Sequence, residues 1–389
     1  MRPSPVFVAI FLGVLSTVSA LLHGYAWLRL GADPAWPAPF GTILVLLFAL
    51  LALGLPASMV GLRVLPPRSA VPLAWGAYVW LGALFYLDVT LLALDGARLV
   101  FENVAYAHAL VPWPSSDVAG ARALAAIAVS ISVGLVGWGL TRGRAVPDVR
   151  RVTVRIPGLP RAFDGFRIVQ LSDVHVGPML RRDFVGAIVA QTNALSPDLV
   201  AITGDLVDGS VADLAPEVAP LRELRAPDGV RFVTGNHELF SGADAWCAHL
   251  ETLGVDVLRN RHVTITRGED ALVIAGIDDA HSERFGGRSD LGAALEGRDP
   301  AHPVVLLAHQ PRGVEDAAQR GVALQLSGHT HGGQMQPFGA LVRVEQPYLR
   351  GLHQIGPTQL FVSQGTGTWG PPLRVGTRSE IAEITLRAG

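Results

Sequence analysis

Carboxylate and imidazole side chains recur at short spacings in the second half of the chain, each group directly after a run of Val, Ile and Leu. The groups are Ser172-Asp173-Val174-His175, Gly204-Asp205-Leu206-Val207-Asp208, Gly235-Asn236-His237-Glu238, His309-Gln310 and Gly328-His329-Thr330-His331-Gly332-Gly333. Five of the twelve histidines fall within them. Mixed nitrogen and oxygen donors suit Mn, Fe or Zn, whereas Mg and Ca prefer shells made of oxygen. Taken singly, each group has an ordinary explanation. Gly-Asp after a strand is commonly a turn, Gly-Asn is a turn dipeptide, and a lone His309 serves as a hydrogen-bonded histidine. Five groups in succession, each closing an apolar run, are more than turns require.

The apolar runs cover residues 166–171, 199–203, 230–234, 272–277, 304–308, 322–326 and 360–362, and their length and composition predict buried strands. Stretches with helical spacing separate several of them, at 181–195, 211–224, 244–253 and 313–320. Strands alternating with helices make an α/β layered domain. In such folds ligands gather beyond the carboxyl ends of the strands, where these five groups lie. Asp278 and Asp279 also follow a strand and are candidates for the substrate side of the same pocket.

The first 140 residues differ in kind. Of 389 residues only 16% are charged and 50% are hydrophobic, and the apolar excess lies before Arg142. Four segments, at about 6–28, 40–62, 71–94 and 120–140, can each span a hydrocarbon core about 30 Å thick. The first alone could be a signal peptide, but three further spans argue for a membrane region. Residues 141–164 then form a linker and first strand, and 165–389 the α/β domain. Arg2, Arg63, Arg68, Arg142, Arg144, Arg150 and Arg151 fall on one side of the four spans, against Arg29, Arg98 and Arg122 on the other. Positively charged loops stay inside, so both termini and the α/β domain are expected in the cytoplasm. Asp88 and Asp95 lie within or at the end of the third span, where a carboxylate is costly. Asp95 reads as an interface marker beside Gly96 and Arg98, and Asp88 stays open.

Net charge is −2, which argues against a broad basic face for nucleic acid. All 31 basic residues are arginine, a composition from which no mechanism follows. The single cysteine, Cys247, excludes an internal disulfide and sits in the apolar pattern of a helix.

The five groups, in this order, resemble the motif blocks of the calcineurin-like metallophosphoesterases over residues 165–387. The Gly328–Gln334 block and the late stretch from Ser363 through Pro372-Leu373-Arg374 look like the bacterial branch of membrane-associated phosphodiesterases and lipid pyrophosphatases. The resemblance implies a four-layer αββα domain behind a four-helix transmembrane region, in a multi-pass protein of the bacterial cell membrane. It implies two divalent cations, manganese first and iron or zinc as alternatives. Asp205 would bridge them, with Asp173, His175 and His331 on one and Asn236, His309 and His329 on the other. His237 would be the general acid, with Asp208 as its carboxylate partner; by its sequence position Asp208 equally suits a helix N-cap or a loop hydrogen bond. Glu238 departs from the Asp common among relatives after Asn-His and has no expected ligand role. Gly204, Gly235, Gly328 and Gly332 would serve the backbone.

The expected substrate is a phosphodiester or pyrophosphate, lipid-linked or nucleotide-containing. The alternatives are a phosphomonoesterase or protein phosphatase with the same metals, and a non-catalytic membrane sensor or assembly protein. Oligomeric state is not legible in the sequence.

Overall fold

The computed structural model describes residues 5–65, 67–103 and 117–389. The chain divides into two compact units, Met1–Thr141 with Pro371–Leu373, and Arg142–Gly370 with Arg374–Gly389.

The first unit consists of α1 (Pro5–Trp27), continued by a π-helical turn at Leu28–Ala32, α2 (Phe40–Val64), α3 (Pro67–Asn103) and α4 (Val118–Gly143). All four are long and apolar enough to cross a membrane. Leu21, Leu50 and Leu53 face outward, a placement without penalty where lipid tails as apolar as leucine replace water. The third helix runs 37 residues where the sequence predicts a span over 71–94. At about 1.5 Å per residue it is roughly 55 Å long, so it extends well past a hydrocarbon core of about 30 Å.

Polar side chains inside this unit are mostly paired. Asp95 accepts hydrogen bonds from the Tyr25 hydroxyl at 2.7 Å and Arg29 Nε at 3.0 Å. Trp80 Nε1 donates to His23 Nε2 at 2.9 Å, and His23 Nδ1 donates to the Ser19 carbonyl at 2.8 Å. Asp88 is buried, and neither of its carboxylate oxygens has a hydrogen-bond partner among the described residues. Arg2 and the side chains of Arg63 and Arg68, on which the orientation expectation partly rests, lie outside the described residues.

The second unit is two six-stranded sheets. One has the order β1 (Asp148–Ile156), β12 (Glu380–Ala388), β2 (Arg167–Leu171), β3 (Leu199–Ile202), β4 (Val230–Phe232), β5 (Val255–Val257). The other has the order β10 (Gly351–Ile355), β11 (Thr358–Val362), β9 (Leu324–Ser327), β8 (Val304–Leu307), β7 (Asp270–Gly276), β6 (Arg261–Arg267). Side chains alternate between the faces of each strand. Ile168, Leu199 and Ile384 therefore meet Ile274, Leu307 and Phe361 of the opposite sheet in one buried core. Their neighbours Val169, Val200 and Phe232 point the other way, onto α5 (Arg182–Ala194) and α8 (Ala243–Thr252) through Val185, Ile188, Trp246 and Leu250. On the outer face of the second sheet, Val273, Val304 and Leu306 pack against Leu291 and Ala294 of α9 (Leu291–Leu295) and Ala317 of α10 (Val314–Gln319). Both faces of the central strands are covered, which is why they read as unbroken apolar runs. The result is the expected four-layer αββα arrangement.

Two predicted elements differ. The helix expected over 211–224 is α-helical only over Val211–Val218 (α6) and tightens to a 3₁₀ turn at Ala219–Glu223. Pro220 has no N–H to continue the α-helical ladder. The strand expected at 322–326 is Leu324–Ser327, shifted into register with β8 and β11. Arg150 and Arg151 lie on β1, within the stretch 141–164 read as a linker and first strand, and pair with Glu380 and Glu383 of β12 at 3.4 and 2.8 Å.

Truncating Ile168 to alanine removes contacts from the centre of the intersheet core. Ile168→Ala is expected to destabilise this unit by about 2–5 kcal/mol, measured by hydrogen exchange of its strands. Unchanged protection would show that the two sheets do not depend on this layer.

Candidate metal centre

The carboxyl ends of five strands supply the site. Asp173 and His175 follow β2, and Asp205 and Asp208 follow β3. Asn236 and His237 open α7 (Asn236–Ser241) after β4. His309 follows β8, and His329 and His331 follow β9. The structure brings the carboxylates and imidazoles among them into three groups whose potential ligand atoms lie within 4.8 Å of one another: Asp173, His175 and His331; Asp205, His309 and His329; and His175, Asp208 and His237.

Asp205 stands between the first two groups. Its Oδ2 is 3.1 Å from His309 Nε2 and 3.9 Å from His175 Nε2. Its Oδ1 accepts from the backbone N–H of His237 at 2.8 Å. On one side, His331 Nε2 is 3.4 Å from Asp173 Oδ1 and 3.0 Å from His175 Nε2. On the other, His329 Nδ1 is 3.2 Å from His309 Nε2. Outer hydrogen bonds set the ring orientations. His309 Nδ1 donates to the Thr203 carbonyl at 2.8 Å, which turns Nε2 toward Asp205. His175 Nδ1 and His237 Nδ1 both donate to Asp208 Oδ1, at 2.9 and 2.6 Å. His175 Nε2 is thereby a lone pair directed at His331, and His237 presents Nε2 away from Asp208.

These residues fit divalent cations. His175 Nε2 and His331 Nε2 converge to 3.0 Å with Asp173 Oδ1 3.4 Å from the latter, which gathers three potential ligand atoms in one place. Asn236 Oδ1 is buried without a hydrogen-bond partner among the described residues, a polar oxygen left for another kind of ligand. Burial, reinforced by the neighbouring His175 and Arg374, pushes the His331 pKa well below its ordinary value. Burial and His309 push His329 down to about 3. Neutral imidazole is the form that binds a metal. His237 behaves in the opposite way. Burial opposes its charged form, but Asp205 and Asp208 outweigh that and lift its pKa to about 9.

The backbone around these groups is unusual. Asp173, His175, Asp205, His329 and His331 all have left-handed φ, between 50° and 70°. For residues with a Cβ this costs on the order of 1–3 kcal/mol each and needs support from the surroundings. At Gly235 a Cβ would collide with Asp205 Oδ1, and at Gly328 with Ser172 Oγ and Asp173 Oδ2, so both glycines are required by close approach to the carboxylates. Ser172 Oγ donates to Asp173 Oδ2 at 2.5 Å, and the His329 N–H donates to Asp173 Oδ1 at 2.9 Å.

A model of the calcineurin-like phosphoesterase family matches residues 166–333. A Bos taurus protein named "Transmembrane protein with metallophosphoesterase domain" is 36% identical over 332 residues, 80% of this chain and 73% of that protein. The chain is a calcineurin-like metallophosphoesterase. An Aquifex aeolicus protein named as a metallophosphoesterase is 35% identical over 61% of this chain and 91% of its own length. A Helicobacter pylori protein so named is 37% identical over 64% of this chain and 66% of its own. The family's chemistry is metal-dependent phosphoester hydrolysis at a dinuclear divalent-metal site, and the His and Asp groups of this metallophosphoesterase offer the donors for it. The four apolar helices and the transmembrane relative together associate it with a membrane.

Several residues of the metallophosphoesterase take roles that side-chain patterns do not predict. Glu238 is fully buried and accepts from the backbone N–H groups of Gly235, Asp205, Leu206 and Val207 at 2.7, 2.9, 2.8 and 3.2 Å. It ties the loop after β3 to the loop after β4. Arg374 is also buried and directs Nη1 to the His331 carbonyl at 3.0 Å and Nη2 to the Gly367 carbonyl at 2.6 Å. Asp208 does not cap a helix: Ser210 is the N-cap of α6, and its Oγ donates to Asp213. The two substrate-side candidates serve the framework. Asp278 pairs with Arg259 at 3.1 Å and accepts from Thr234 at 2.9 Å. Asp279 accepts from Gln310 Nε2 at 2.9 Å and from the His281 N–H at 2.8 Å. Cys247 is buried against the β-sheet, its thiol pushed up to about 12 chiefly by burial.

Removing the Glu238 carboxylate leaves four backbone donors without their acceptor, at roughly 1–3 kcal/mol for each that stays dry. Glu238→Ala is expected to lose several kcal/mol of stability and most bound metal, while Glu238→Gln keeps part of both. Thermal unfolding and elemental analysis measure this. Full metal content in Glu238→Ala would show that the loops hold their shape without the clamp.

Proposed function

We propose that this metallophosphoesterase is a multi-pass protein of a bacterial cell membrane that hydrolyses phosphodiester or pyrophosphate bonds. Two divalent cations, manganese by preference, would be bridged by Asp205. Asp173, His175 and His331 would complete one shell, and Asn236, His309 and His329 the other. The observation that carries this reading is the Asp205 carboxylate, whose Oδ2 is within 3.1 Å of an imidazole nitrogen of one group and 3.9 Å of one from the other. When bound, such a cation pair supplies Lewis acidity at the phosphoryl oxygens and a more acidic water.

The chain's own residues orient and protonate. Asp208 fixes the tautomers of His175 and His237 through one oxygen, which couples a proposed ligand to the proposed acid. With Nδ1 held by Asp208, His237 has Nε2 free to donate its proton to the departing oxygen. A diester is favoured over a monoester because a dianionic monoester calls for additional cationic donors. Arg374, the guanidinium buried beside His331, instead directs both Nη atoms to backbone carbonyls.

The apolar helices support a substrate at the bilayer, since tethering raises the effective concentration of membrane-borne groups at the site. The arginine distribution supports a cytoplasmic catalytic domain.

Protein stripped of metal is expected to lose hydrolysis of bis-p-nitrophenyl phosphate and to recover it with Mn, whereas Asn236→Ala recovers little. Faster turnover of the mono-aryl phosphate would replace the diesterase reading with a monoesterase. Equal neglect of nucleotide-lipid pyrophosphates, alongside good turnover of soluble nucleotides, would remove the lipid component. Replacing His237 by Gln is expected to slow cleavage about 10²–10⁴-fold for alkoxide leaving groups, and much less for p-nitrophenolate. An equal loss for both would mean that His237 does not protonate the leaving group.

A further inference from the structure

Three large aromatic side chains stand exposed around the proposed acid. Phe240 is 66%, Phe285 48% and Trp369 49% exposed. They form one edge-to-face chain with His237: Phe240 lies 5.8 Å from the His237 ring at 74°, Trp369 lies 6.3 Å from it at 82°, and Phe285 lies 5.6 Å from Phe240 at 68°. Isolated apolar side chains on a surface carry no message, but a contiguous cluster at a catalytic group does. The cluster is also held in place. Phe240 sits on α7, the short helix that begins with Asn236 and His237. The backbone N–H of Trp369 donates to Gln334 Oε1 at 2.9 Å, and its carbonyl accepts from Gln334 Nε2 at 2.9 Å. These last bonds are to the main chain, so they survive exchange of the Trp369 side chain for Ala or Phe.

Position decides what the rim would touch. A general acid must come within hydrogen-bond reach of the atom it protonates. The leaving oxygen therefore comes to His237 Nε2, and the group attached to that oxygen emerges beside Phe240 and Trp369. Neither side of His237 in this chain of rings offers a charged partner; both offer aromatic surface. We infer that Phe240, Phe285 and Trp369 form an apolar subsite for the leaving group, so that the substrate is a diester or pyrophosphate whose departing half carries an aromatic ring or an aliphatic chain. This rests on the dinuclear hydrolase reading given above. Aromatic faces take planar rings by stacking and alkyl chains by contact, so nucleobase, aryl and acyl sources share this recognition.

The test uses the full chain in lipid nanodiscs with Mn, so that detergent does not compete for the rim. Phosphodiesters with leaving alcohols of matched acidity but different apolar surface are compared, together with a nucleoside diester and a dialkylglycerol diester. The wild type is expected to prefer apolar leaving groups about 10-fold or more in kcat/KM, in the range seen for one apolar group in a pocket. Trp369→Ala and Phe240→Ala are expected to remove most of that preference, chiefly through KM, and Trp369→Phe to restore part of it. Loss confined to the nucleoside diester assigns the rim to base stacking, and loss confined to the dialkylglycerol diester assigns it to a lipid chain; either supports the subsite. Metal-dependent hydrolysis with no preference in the wild type, or with a preference unchanged in both alanine variants, overturns the subsite alone. No metal-dependent hydrolysis of any diester overturns the subsite and the hydrolase reading together.

Discussion

Four backbone N–H groups from two loops end on one buried carboxylate, that of Glu238, and the geometry of the metal centre depends on that convergence. The loop after β3 carries Asp205 and the loop after β4 carries Asn236 and His237. Neither loop is part of a sheet ladder at these positions, and both are buried. Their N–H groups therefore need an acceptor that regular structure does not provide. A carboxylate can accept four hydrogen bonds, and by doing so it fixes the separation of the two loops. The position of Asp205 between two imidazole groups follows from that separation.

Around this clamp, several groups of the site are oriented by neighbours that are not themselves proposed ligands. Thr203 orients His309 through its carbonyl, Ser172 restrains Asp173, Asp208 restrains two histidines, and Arg374 braces the main chain at His331. The electrostatic result is a division of labour among the histidines. His329 and His331 are kept neutral by burial and by like-charged neighbours, whereas, against burial, Asp205 lifts His309 well above its ordinary value and two carboxylates keep His237 protonated.

Much of this was legible in the sequence because side chains in a buried α/β core leave a strong trace. The central strands are covered on both faces, so β2, β3, β8 and β11 show as apolar runs, and the polar residues that follow them stand out. Elements without that contrast are harder to read. The sequence reading missed β12, although it is an interior strand of its sheet, because Glu380 and Glu383, which pair with Arg150 and Arg151 on β1, interrupt its apolar pattern. The clamping role of Glu238 is not legible in the sequence, because its partners are main-chain N–H groups, which have no signature in residue type. Asp208 could be read equally as a cap or as a partner of His237, since the same short side chain suits both; the contact depends on a loop path that spacing does not encode. In the apolar half the positions of the helices were legible from hydropathy, but the end of α3 was not, since the helix continues beyond the apolar stretch that betrays it.

Five residues of the site, Asp173, His175, Asp205, His329 and His331, are held with left-handed backbone although each carries a Cβ. The local folding preference at these positions is for glycine, and the side chains are present against that preference. Exchanging any of them for glycine would relax the main chain, but at Asp173 and Asp205 it would also strand the N–H groups of His329 and His237. The same carboxylates thus act at once as the cause of local strain and as the acceptors that hold the strained loops together.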